Sequence, residues 1–227
     1  MSLRVASAAV VLALAGAACG SDDPDTSSET EETSPSATPV ASATGASTLR
    51  AGLTGLLTEH VYLAALATGA ALRGDTKGFE AFAAALNGPT SSNTADLVSA
   101  IGSAYGPDVE TAFDGLWRSE GHIPAVVAYT QAVATDNKAG ADKAVADLLA
   151  YAKTFGTTLN SVNENLPAAA VEDAIKMHVT TLKDVIDAQK AGDATKAASA
   201  LRTAVGHMSD TAAVLADATV KKFPAKF

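Results

Sequence analysis

From Leu49 onward, apolar residues recur at helical spacing, and no stretch holds for long the period of two that a strand requires. Leu49, Leu53, Leu56, Leu57, Leu63 and Ala67 draw the stripe of a first helix that ends near Arg73-Gly74. Asp75 caps a second, with Phe79, Phe82 and Leu86 facing inward. The run Asn87-Gly88-Pro89-Thr90-Ser91-Ser92 breaks it, and Asn93 restarts it with Asp96 three residues on, a pair resembling a capping box. Gly106-Pro107 opens a third, with Pro at the first helical position and Asp108 and Glu110 in the first turn. Asp136 starts a fourth and Pro167 a fifth; Gly192-Asp193 separates the fifth from a sixth, which runs to about Lys222 before Pro224. The expected fold is all-α, an up-down bundle of about six helices arranged as three antiparallel hairpins. Abundant alanine permits close approach, and short linkers favour neighbours over crossovers.

A weak internal repeat runs through this pattern. His60 stands 15 residues before Asp75, His122 stands 14 before Asp136, and His178 stands 15 before Asp193. If the three hairpin turns lie at one end, these histidines share one height, ~22 Å from the turns at ~1.5 Å per residue. His207, 14 residues after Asp193 on the returning helix, is level with His178, and the break around Pro89 falls at the same height. Four imidazoles and an opening in one helix are thus predicted to occupy one slab.

That slab suggests chemistry. Imidazole is the commonest metal ligand near neutral pH. Apart from Met1, the methionines are Met177 and Met208, each adjoining a histidine. A thioether with imidazoles suits copper, Cu(I) above all. Glu59 and Asp210 would serve as ligands or as outer partners of the ligands. The candidate metal set is therefore His60, His122, His178, His207, Met208 and Glu59. Two other readings stand beside it: a cell-envelope structural or interaction module whose histidines only pack, and a bundle holding haem through paired axial histidines. His60 and His178 lie on apolar stripes, whereas His122 and His207 are rotated off theirs. Met177 and His178 point ~100° apart, and Met208 lines up with Leu201, Val205 and Leu215 as a core residue would. Trp117 with Leu116 and Phe113 is expected to anchor the core, and Tyr62, Tyr105, Tyr129 and Tyr151 to sit at the boundary with wet hydroxyls. No G-x-S-x-G elbow, glycine-rich phosphate loop, H-E-x-x-H or C-x-x-C occurs, so no enzymatic reaction is assigned.

The N-terminal segment changes the compartment. Arg4 precedes a short apolar run, Val5 to Ala18, well under the ~20 residues that a membrane span needs. Residues 1–18 read as a secretory signal. The end of the run, Leu14-Ala15-Gly16-Ala17-Ala18-Cys19-Gly20-Ser21, resembles a bacterial lipoprotein cleavage site. Cys19 is the single cysteine, and lipidation would consume a thiol that has no partner in an oxidising compartment. Residues 19–48 then form a lipidated cysteine and a disordered acidic Ser/Thr/Pro tether, leaving 49–227 as the bundle. The expected location is extracytoplasmic, held to the membrane by the lipid. Losing Arg4 with the signal takes the formal charge from −9 to −10, and the six acidic residues of the tether account for all but −4. No basic face remains to displace counterions, which excludes nucleic acid as a partner. No protein partner follows from the sequence.

Several runs resemble a helical domain of secreted and lipid-anchored proteins of Gram-positive bacteria, often labelled copper amine oxidase-like. They are Leu56-Leu57-Thr58-Glu59-His60, Asn93-Thr94-Ala95-Asp96-Leu97, Leu116-Trp117-Arg118, His122-Ile123, Tyr129-Thr130, His207-Met208 and Phe223-Pro224. The resemblance implies a helical fold outside the cytoplasm and, through its label, copper. It doesn't extend to amine oxidation, because the Asn-Tyr pair that supplies the quinone of the true oxidases is absent.

Overall fold

The computed structural model describes residues 44–118 and 121–227. The signal sequence, Cys19 and the tether as far as residue 43 lie outside them; Gly45 to Thr48, expected as the end of the disordered tether, are instead the first turn of α1. Among the described residues there are eight helices: α1 (Gly45–Leu72), α2 (Thr76–Asn87), α3 (Asn93–Tyr105), α4 (Pro107–Arg118), α5 (His122–Ala134), α6 (Lys138–Val162), α7 (Ala168–Lys190) and α8 (Ala194–Lys222). They pack side by side as an all-α bundle with no strand.

Each expected element is present, with adjustments at some of the ends. Helix α1 begins at Gly45 rather than Leu49, because Thr44 caps it by accepting from the Ser47 amide. Ser92, not Asn93, caps α3 and accepts from the Ala95 amide. The third expected helix is two, α4 and α5, interrupted at Gly121, whose φ of 152° suits glycine. A side chain at Gly121 would also press on the Tyr151 ring, whose Cδ2 lies 3.3 Å from an added Cβ.

The three hairpin turns are near copies of one another. In each, a residue at positive φ follows the helix: Gly74 at 72°, Asp136 at 55° and Gly192 at 70°. The next residue then caps the returning helix. Asp75, Asn137 and Asp193 accept from the amides of Gly78, Gly140 and Lys196, respectively. The same three residues donate their own amides to Ala70, Ala132 and Ala188, five residues back, as in a Schellman turn. The residue equivalent to Asp75 and Asp193 is therefore Asn137, not Asp136. With that correction each histidine stands 15 residues before its cap: 60 to 75, 122 to 137 and 178 to 193.

The packing follows the repeat. Helices α1, α5 and α7, the rising arms of the hairpins, contact one another, and α1 also packs on α8. Helix α1 is long and apolar enough in composition to cross a bilayer, but half of its most apolar stretch is buried within the bundle. One core cluster holds Leu57, Val61, Phe113, Trp117, Phe155 and Val179. A smaller one, nearer the turns, holds Ala64, Leu86, Tyr129, Ala144, Leu182 and Ile186. The histidines fall at the level where these clusters meet.

Candidate metal centre

His60 projects from the middle of α1, His178 from α7, and His122 is the first residue of α5. All three are buried, His60 and His122 at 2% exposure and His178 at 3%. Their ring centroids form a nearly equilateral triangle with sides of 5.4, 5.7 and 5.8 Å. One nitrogen from each lies within 4.8 Å of the other two. The Nε2 atoms of His60 and His122 are 3.4 Å apart. Two nitrogens bound to one metal at ~2.0 Å are ~3.3–3.5 Å apart, so this pair already has the spacing of a shared ligand shell. From a spacing of 4.8 Å at most to one of 3.4 Å, His178 needs to close by no more than about 1.4 Å.

The break before α5 explains how His122 joins the set. On a continuous helix its direction would follow from Trp117 by ~100° steps. The interruption releases it from that register and sets it at the start of a new helix. Arg118 fixes the junction: held by Asp114 at 2.6 Å, it donates to the Asn87 and Gly88 carbonyls at 2.7 and 2.9 Å. The break in α4–α5 is thereby tied to the break between α2 and α3.

Most of the imidazole nitrogens have no protein partner. Both nitrogens of His178 and the Nδ1 atoms of His60 and His122 are buried without a hydrogen bond. Buried polar atoms are seldom left so, and each orphan costs ~1–3 kcal/mol. The same burial holds the rings neutral. Desolvation lowers His60 to about 4, opposed by neighbouring Asn93, and lowers His178 to about 3, assisted by His60 and His207. His122 is also driven well below its ordinary value, by burial first and then by His60 and His178. Neutral imidazole is the ligating form; in the metal-free protein one of the two Nε2 atoms of His60 and His122 donates to the other, and a change of tautomer frees its lone pair for a metal.

Aromatic rings wall the triad. Trp117 lies 5.1 Å from the His60 ring and 4.7 Å from that of His122, and Tyr151 stacks on His122 at 5.4 Å. Trp117 is the expected core anchor and also touches the site, a role its apolar neighbours in sequence conceal. Tyr129 and Tyr151 are buried rather than at the boundary. The Tyr129 hydroxyl donates to Asp187 at 2.6 Å; desolvation and that bond push its pKa up to about 12. Tyr105 and Asn163 tie the far end together: Asn163 Nδ2 donates to the Tyr105 hydroxyl and the Ala218 carbonyl.

The other sequence candidates take different places. Glu59 is exposed and stands outside the triad; its carboxylate accepts from Asn93 Nδ2 at 2.9 Å, which puts it behind His60 rather than beside it. Asn93 is the unforeseen member here, as its sequence role looked like that of a cap. His207 is half-buried and outside the triad, with its Nε2 2.8 Å from the Ala174 carbonyl. Met208 is buried, and Met177 is half exposed. A cavity of about 230 Å³ between α7 and α8 has all three triad histidines, His207, Met208 and Asp210 on its walls. A second, of about 160 Å³, lies on the α2 side of His60 and His122.

Compared with protein-family models, characterised proteins and solved structures, the chain finds no match in any of the three.

Proposed function

We propose that this chain is a lipid-anchored extracytoplasmic protein that binds a transition-metal ion, copper first, through His60, His122 and His178. The observation that carries the reading is the convergence of three buried imidazoles whose nitrogens are mostly without partners. As packing residues they would be a net cost to the fold; a metal ion offsets that cost. Among the described residues no carboxylate or thiolate joins them. A divalent ion would therefore bring an unbalanced double charge into a dry core, and the cost of burying charge rises steeply. Cu(I) adds a single charge, accepts imidazole and needs only three ligands, which favours it over Zn(II) or Cu(II). The pocket suits haem less. Axial imidazoles need a macrocycle between them, whereas these rings are in mutual contact at 5.4–5.8 Å. With no catalytic motif in the sequence, the role is sequestration or delivery rather than turnover.

Titration of the tag-free chain with Cu(I) against a chromophoric chelator tests the reading. Wild type should take up one ion per chain, and the variant His60→Ala/His122→Ala/His178→Ala none. Equal uptake by both would remove the triad as the site and leave a helical module with packing histidines.

A further inference from the structure

Of the residues singled out by the sequence and unused by the triad, His207, Met208 and Asp210 line the cavity between α7 and α8. Its inner wall carries His60, His122 and His178. Its outer wall includes Ala170, Asp210 and Val214, all exposed, with Ala174 and His207 half-buried between. Small side chains on α7 opposite α8 leave this gap. The space therefore runs from the surface to the triad.

The chemistry along this path is graded. Asp210 offers a carboxylate at the lip, which raises the local concentration of a cation. His207 comes next. A carbonyl can only accept, so its Nε2 donates to Ala174, and in the neutral ring Nδ1 keeps the lone pair. The Met208 thioether is buried deeper and is a soft donor suited to Cu(I). The cavity on the α2 side has no such series: beyond His60 and His122, its polar lining is Thr68, Asn87, Thr130 and Gln131.

We infer that the α7–α8 cleft is the route by which Cu(I) reaches and leaves the triad, with His207, helped by Met208, as a transient ligand on the way. This rests on the triad being the resting site. A way-station lowers the barrier in both directions, so it changes loading and release by one factor and leaves the equilibrium affinity alone.

The test is stopped-flow transfer of Cu(I) from bicinchoninate to the full chain, under conditions where the rate scales with protein concentration, followed by release to excess chelator. Three proteins are compared: wild type, His207→Gln and Ala174→Leu. Glutamine can still donate to the Ala174 carbonyl, and a thermal melt verifies that each variant is folded. Both variants should load and release at least fivefold more slowly, with end-point affinity within twofold of wild type. Unchanged rates in folded variants would overturn the route while leaving the triad intact. A His207→Gln affinity as poor as that of His178→Ala would make His207 a resting ligand and overturn the way-station. No uptake by wild type would remove the site and the route together.

Discussion

Of the three triad imidazoles, His178 leaves the most buried nitrogens unpartnered. It is buried, and neither ring nitrogen has a partner. An apolar side chain of similar size loses no hydrogen bond there and removes two orphaned atoms. The metal-free variant His178→Leu should be as stable as wild type or up to ~2 kcal/mol more stable in urea unfolding, while its Cu(I) uptake is lost. A variant weaker by more than ~1 kcal/mol would show that the nitrogens are satisfied in solution. The triad also sets the pH response of the metal-free protein. Unfolded imidazoles take up protons near 6.5, whereas His60 and His178 resist until about 4 and about 3, and His122 is lowered as well. Between those values the unfolded chain binds more protons, so stability falls with falling pH. The triad's contribution is intact above about 6.5. Below it each imidazole withdraws about 1.4 kcal/mol per pH unit until its folded value is reached. Urea unfolding at pH 7, 6 and 5 should show this decline, and it should be shallower in His178→Leu. A flat profile would mean that the rings are not buried neutral. In the sequence, His60 and His178 were legible as inward-facing by their apolar stripes. His122 was not, because its direction is set by the helix interruption at Gly121 and not by the helix before it.

At the scale of elements, the turns are the repeat's signature. Gly74 and Gly192 take positive φ at no steric cost, whereas Asp136 does the same with a side chain. Asp136→Gly should therefore stabilise the bundle by about 0.5–1 kcal/mol, and Gly192→Ala should weaken it by about 1 kcal/mol, both read from urea midpoints. Two effects of the same sign would mean that the turns are not equivalent. Gly, Asp and Pro punctuation made most breaks legible: those after Arg73, at Gly88, before Pro107 and at Gly192. The break at Gly121 carried its own signal in Pro124, three residues on. Proline is at home in the first turn of a helix, where its missing amide would have no partner. Read as one helix, the segment hid the break that brings His122 to the centre. The cap at Asn137 was missed for a related reason. Asp136 and Asn137 are both capping residues, and only the backbone conformation shows which one caps.

For the whole molecule, the histidine spacing was legible because three hairpins of equal arm length place equivalent residues at one height. The cleft was not, since a gap between helices depends on side chains from two distant segments, Ala170 and Ala174 on α7 and Val214 on α8. The anchor belongs to the whole chain too. If Cys19 carries the lipid, Cys19→Ala should move the protein from the membrane fraction to the medium, as seen by immunoblot; a variant that stays with the membrane contradicts the anchor. The binding site itself is most directly tested by copper K-edge X-ray absorption of the Cu(I)-loaded full chain. Three imidazole nitrogens at about 2.0 Å, with no sulfur neighbour, are expected, and the signal should collapse in His178→Leu. A sulfur-containing shell, or an unchanged spectrum in that variant, would place the metal elsewhere and contradict a site built from α1, α5 and α7.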